Sequence, residues 1–183
     1  VGANYLSPAR RDGLAPPLGS REGERNCRRS CGLIYNFVIV SIDPTPDAAN
    51  EAAATLLATW LTSPGARTVM VAAGNTPLNL YQRIATRGLS LAHLQVFALD
   101  EYVGVPLNEP RNCANLLRRS VAEAWRIPAE SFFAVSSVAT EALASVQAHE
   151  RRIAEVGGLD IVVLGLGQNG HLGFNEPGSL ADS

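Results

Sequence analysis

From residue 37 onward, short uninterrupted apolar runs alternate with longer stretches in which apolar residues recur every three or four positions. The first pattern reads as strand and the second as amphipathic helix. Residues 37–41 form the first short run. Thr45 followed by Pro46 predicts an N-cap with proline at the first helical position. Ala49, Ala53, Leu56, Leu57, Trp60 and Leu61 then fall on one helical face, which residues 63–65 end. Residues 68–72 predict a second strand. Thr76 and Pro77 repeat the cap signal ahead of a helix carrying Leu80, Tyr81 and Ile84, closed by Gly88. A third strand over 94–99 precedes a helix marked by Leu116, Leu117, Val121 and Trp125. After a short apolar piece at 132–135, Leu143, Val146, Ile153 and Val156 mark another helix, which Gly157 and Gly158 terminate. The last strand, 159–164, is apolar without alternation, as in a strand covered on both faces.

This order predicts an α/β fold: a doubly wound, mostly parallel sheet with helices on both faces, Rossmann-like but incomplete. Ligands of such sheets lie outside the carboxyl ends of the strands. Chemistry is therefore expected in three segments, 73–77, 100–104 and 167–178. Residues 34–183 carry the alternation and form the expected domain. Residues 1–33 differ, with six arginines against Asp12, Glu22 and Glu24 and little periodicity. They predict a disordered, Arg/Gly/Pro-rich leader with none of the continuous apolar stretch of a secretory signal. Cys27 and Cys31 lie in it without a second ligand pair nearby, which argues against a zinc site.

Composition narrows the function. The chain has 183 residues, suited to one domain, and 46% of them are hydrophobic against 17% charged. A net charge of -2 argues against general nucleic-acid binding. No apolar run approaches the ~18 residues of a membrane span. Three cysteines cannot close a disulfide framework, which fits a reducing, cytoplasmic location. All 15 basic residues are arginine. A lysine Schiff base, and with it pyridoxal phosphate chemistry, is thereby excluded for this chain.

The first strand-end segment contains Gly74, Asn75 and Thr76. A small-residue turn at a helix N-terminus suits a phosphate, or equally a plain capped turn. It lacks the Gly-Lys-[Ser/Thr] ending of a Walker loop. The second places Asp100 beside Glu101 directly after a strand. Neighbours on extended backbone point opposite ways, so one of the two is expected to face the cleft and could act as a base; capping is the competing role. The third contains Gly165, Gly167 and Gly170 in G-x-G-x-x-G spacing, yet Gly173, Pro177 and Gly178 follow where a dinucleotide site needs a helix. The better reading is a loop presenting His171 and Glu176. His93 and His149 read as exposed loop and helix residues.

Together the segments AAGNTPLNLYQRI, LDEYVGVPLNEPRNCANLLRRSV and LDIVVLGLGQNGHLGFNEPGSL resemble the glucosamine-6-phosphate deaminase (isomerase) family, within a group that also contains 6-phosphogluconolactonases. The resemblance covers about residues 66–183, and Phe174-Asn175-Glu176-Pro177 sides with the deaminases. It implies conversion of glucosamine 6-phosphate, or its galactosamine epimer, to a ketose 6-phosphate plus ammonia, with no metal or organic cofactor. Its partner is then a small-molecule sugar phosphate, and the chain could form a homo-oligomer. It further implies that Gly74, Asn75 and Thr76 hold the phosphate and that Asp100 moves the C2 proton to C1. His171 would assist ring opening, oriented by Glu176.

Two positions depart from the family pattern. Asn169 stands where an Asp usually precedes the histidine, and Ala73 where a Thr is common. An amide can orient an imidazole without stabilising its cation, and can favour the wrong tautomer. The resemblance also implies a C-terminally truncated member, lacking a lid and a phosphate-binding lysine, with poor or no turnover. Competing readings are a 6-phosphogluconolactonase-like hydrolase and a non-catalytic sugar-phosphate-binding fragment.

Overall fold

The computed structural model describes residues 4–8 and 40–180. In chain order its elements begin with β1 (Asn4–Pro8), α1 (Pro46–Leu61), β2 (Thr68–Val71), α2 (Asn75–Thr86) and β3 (Gln95–Ala98). They continue with α3 (Cys113–Leu117), a π-helical turn (Arg118–Glu123), β4 (Phe132–Phe133), α4 (Ala142–Glu155) and β5 (Ile161–Gly165). The sheet order is β1-β5-β2-β3-β4. The pairs β2–β3, β2–β5 and β3–β4 are parallel. This is the α/β alternation expected. β1 adds an antiparallel edge against β5, where the apolar pattern predicts no strand. Of the expected run at 37–41, residues 37–39 lie outside the described residues, as do Cys27 and Cys31, and Val40 and Ser41 form no strand.

One face of the sheet is fully packed. Val69, Val71, Val96, Ala98, Ile161 and Val163 meet Leu57, Leu61, Leu80, Tyr81, Ile84, Leu117, Val121 and Trp125 from α1, α2 and the α3 segment. Tyr81 and Trp125 stack edge to face, and the Trp125 indole N–H donates to the Tyr81 carbonyl at 3.0 Å. Thr45 caps α1, its hydroxyl accepting from the Ala48 N–H at 3.1 Å. The buried stripe of α1 is Ala54, Leu57, Ala58 and Leu61. This corrects the predicted face, because Leu56 turns to solvent and Ala49, Ala53 and Trp60 are only half-buried. The i, i+3, i+4, i+7 spacing selects a stripe centred on 57–58.

The other face is covered by α4, over β3 and β4. His149 packs edge-on against Phe97, with ring centroids 5.4 Å apart, so it is half-buried rather than exposed as its sequence position suggested. Arg152 lies over the Phe133 ring and donates to Gln95. No residue of α4 is fully buried, and Leu143 is 72% exposed. On β5 the burial alternates: Ile161 and Val163 are buried, Val162 and Leu164 half-buried. The continuous apolar run therefore faces full packing on one side only. Among the described residues no helix is long and apolar enough to cross a membrane.

Candidate active site at the carboxyl ends of the strands

The three segments singled out in the sequence extend from the carboxyl ends of β2, β3 and β5. Past β2 the chain turns at Gly74, whose φ of 103° is a conformation that glycine adopts without strain. Gly74 is the N-cap residue of α2, and no side chain caps that helix. Thr76 therefore sits in the first turn rather than capping it, as its pairing with Pro77 had suggested. The turn is open to solvent at Gly74 and Asn75. First-turn N–H groups without intrahelical acceptors, together with the helix dipole, suit an anion there.

Past β3 the two adjacent acids separate. Glu101 turns inward to the start of α3, where Oε1 accepts from the Cys113 N–H at 3.0 Å and Oε2 from the Ala114 N–H at 2.8 Å. It also accepts from the Tyr102 N–H at 2.8 Å. Asn112, fully buried, adds a side-chain cap to the Asn115 N–H. Asp100 takes the other direction and is half-buried. Among the described residues no donor reaches its carboxylate. Burial, and then the neighbouring Glu101 charge, push its pKa above the usual carboxylate range. Burial and the same two acids push the Cys113 thiol up to about 12, leaving it protonated and unreactive.

Past β5 the chain folds into a tight loop. The Gly167 N–H donates to the His171 carbonyl at 2.9 Å, and Leu172 and Asn175 exchange backbone bonds at 3.2 and 3.0 Å. The His171 ring occupies the space that a Cβ on residue 167 would need. A side chain at 167 would displace the His171 ring from this position, a constraint hidden behind the apparent place of Gly167 in a dinucleotide motif. His171 Nδ1 lies 2.7 Å from Asn169 Oδ1, and Asn169 Nδ2 donates to Glu176 Oε2 at 2.6 Å. Glu176 itself stands 3.8 Å from His171 Nδ1, too far for a hydrogen bond. The predicted direct Glu176–His171 contact is therefore replaced by one through Asn169.

The loops touch one another. A Cβ on Gly173 would lie 3.5 Å from Asp100 Oδ2, so the carboxylate rests against the loop that carries His171. Tyr102 and Phe174 join the same two loops, with centroids 4.9 Å apart. A Cβ on Gly165 would lie 3.4 Å from the Thr76 Cβ, which sets the helix turn against the base of the His171 loop. The geometry brings together an anion-suited turn, a carboxylate of raised basicity and an imidazole. A carboxylate base and an imidazole beside such a turn form a set able to transfer protons. The described residues contain no group of three or more His, Cys, Asp or Glu that could hold a metal ion.

A sequence profile of glucosamine-6-phosphate isomerases/6-phosphogluconolactonase matches residues 43–173. A glucosamine-6-phosphate deaminase of Corynebacterium kroppenstedtii is 38% identical over 148 residues, covering 79% of this chain and 57% of that protein. One of Pseudarthrobacter chlorophenolicus is 40% identical over 112 residues, 60% of this chain and 43% of that protein. The chain thus spans about half the length of these curated relatives. Among solved structures, a monomeric glucosamine-6-phosphate deaminase superposes with a TM-score of 0.68 at 25% identity, covering 76% of this chain and 59% of that one. A 6-phosphogluconolactonase of Thermotoga maritima superposes with a TM-score of 0.60 at 24% identity, covering 72% and 60%, a likeness of fold alone.

Proposed function

The chain belongs to the glucosamine-6-phosphate isomerase/6-phosphogluconolactonase family, and on that premise we propose that it acts on an amino-sugar 6-phosphate, releasing ammonia and leaving a ketose 6-phosphate. The phosphate rests on the Gly74–Asn75–Thr76 turn. His171 takes the anomeric hydroxyl proton and delivers it to the ring oxygen as the C1–O5 bond breaks and the ring opens. In the open-chain aldehyde the C2–H bond becomes acidic; Asp100 removes that proton and returns it at C1, while the aldehyde oxygen takes up a proton released by the amine as the C2–N double bond forms. The resulting 2-imino sugar adds water and loses ammonia. A carboxylate of raised pKa is suited to this step, because a general base is most effective when its pKa lies close to the operating pH.

The observation that carries the reading is the half-buried carboxylate of Asp100, without a donor among the described residues, resting against the loop that presents His171. The test uses both epimers, glucosamine 6-phosphate and galactosamine 6-phosphate, in deuterated water with this chain. Expected are ammonia release and solvent deuterium incorporated at C1, for at least one epimer. Absence of both ammonia and carbon-bound exchange for either epimer overturns the proposal.

A further inference from the structure

We infer that Asn169 is a positioning residue that holds His171 with its proton on Nδ1 and its Nε2 lone pair free, and that Glu176 acts on His171 only through this amide. The inference rests on the site reading above and gives it a protonation state. Three contacts carry it. Asn169 Nδ2 donates to Glu176 Oε2 at 2.6 Å. Asn169 Oδ1 faces His171 Nδ1 at 2.7 Å and accepts from the His171 backbone N–H at 3.2 Å.

The orientation of the amide follows from the hydrogen-bonding capacities of its neighbours. An ionised carboxylate only accepts, so the NH2 group must face Glu176. A backbone N–H only donates, so the oxygen must face His171. Flipping the amide would set NH2 against N–H on one side and carbonyl oxygen against carboxylate on the other. With the oxygen fixed, its remaining lone pair can be met only by a donor, and the neutral imidazole must carry its hydrogen on Nδ1. Nε2 is then the basic nitrogen. The packing of the ring over Gly167 holds it in this plane. An unrestrained histidine side chain favours the opposite form, with the hydrogen on Nε2, so the network reverses the intrinsic preference.

The consequence concerns the substitution of an amide for the usual acid. An Asn whose NH2 faced the imidazole would leave Nε2 protonated and unable to take a proton from substrate, the damage that an acid-to-amide change inflicts in hydrolytic triads. Here Glu176 sets the amide the other way round. The direct Glu176 Oε1 to His171 Nδ1 separation of 3.8 Å excludes a parallel direct bond.

The experiment is ¹⁵N NMR of histidine-labelled protein at about pH 8, where an ordinary imidazole is neutral. The correlation pattern of the ring protons to Nδ1 and Nε2 distinguishes the tautomers. Only His93, His149 and His171 contribute, and a His171→Gln variant assigns the signal. The parent and Asn169→Asp are expected to give the Nδ1–H pattern, and Asn169→Ala to lose it. Glu176→Ala is expected to reduce the Nδ1–H population in the Asn169 parent and to leave it unchanged in the Asn169→Asp background, since a carboxylate has no wrong side. An Nε2–H pattern in the parent overturns the inference, as does an equal effect of Glu176→Ala in both backgrounds. The His93 and His149 signals report the fold of every variant, the assigning His171→Gln included. The tautomer is read without turnover, so this test and the ammonia assay can fail separately.

Discussion

The two ends of the sheet treat a carboxylate in opposite ways. At the amino end, Asp160 precedes β5, is 3% exposed and is wrapped in donors. Its Oδ2 accepts from the Arg67 N–H at 2.8 Å, the Thr68 N–H at 3.0 Å and the Thr68 hydroxyl at 3.0 Å. It thereby ties the start of β2 to the start of β5. At the carboxyl end, Asp100 follows β3, is only half-buried, and meets no donor among the described residues. A buried carboxylate surrounded by N–H groups is a fastener; one desolvated without them is left available as a base. Position beside a strand does not distinguish the two. The hydrogen-bond inventory does.

The strongest way to break this contrast is to neutralise the acid at the carboxyl end. Asp100→Asn is expected to lower carbon-bound proton exchange on the amino-sugar phosphate by about 10²–10⁴-fold, the usual worth of a positioned base, which is about 3–5 kcal/mol on the barrier. The fold should not suffer. A carboxyl whose folded pKa is raised binds its proton more tightly in the native state, so its contribution to stability is greatest below the ordinary carboxylate range and falls as pH rises through the raised pKa. Removing the charge removes that fall. At neutral pH the variant is expected to melt no lower than the parent, while exchange collapses. A variant that keeps its exchange and melts lower would make Asp100 a fastener like Asp160.

The converse change is smaller and of the other kind. Asp160→Ala leaves the Arg67 and Thr68 N–H groups without their acceptor inside the protein, while the Thr68 hydroxyl keeps the Gly158 carbonyl at 3.1 Å. The expected loss is about 3 kcal/mol of folding stability, read as a fall in Tm of roughly 6–12 °C. Exchange per folded molecule should stay at the parent level. An unchanged melting curve would show that the amino-end network does not hold β2 to β5.

The contrast between these two acids also marks what could be read from the sequence. Strands with strong apolar runs were legible to within one or two residues, because burial on one face needs nothing but apolar side chains. The Thr45 cap was legible because its chemistry is complete within four residues. The start of α2 was not: Thr76 and Pro77 imitate a cap, but the positive φ of Gly74 moves the helix start forward. Which of Asp100 and Glu101 enters the cleft depends on N–H groups at 113 and 114, supplied by a distant part of the chain. The close approach at Gly167 depends on where the His171 ring lies, which no local pattern states. His149 was misread for a similar reason, since its partner Phe97 comes from a strand far earlier in sequence.

His149 offers the mildest test of the same rule, now on the face under α4. Burial lowers its pKa, and the Ala98 backbone and Glu150 only partly oppose that. A depressed histidine leaves stability unaffected above its unfolded value near 6.5. As pH falls below that value the unfolded chain takes up a proton that the native state resists, and stability declines until the lowered folded pKa is passed. Denaturant midpoints of the parent should therefore be level from about pH 8 to about 6.5 and then slope downward. In His149→Leu, which keeps an apolar contact with Phe97, this part of the slope should disappear. His93 and His171 remain in both proteins, so the difference between the two curves isolates position 149. Parallel curves would mean that Phe97 and α4 desolvate the imidazole too little to matter. Burial without donors would then shift protonation at the strand ends but not under the helix.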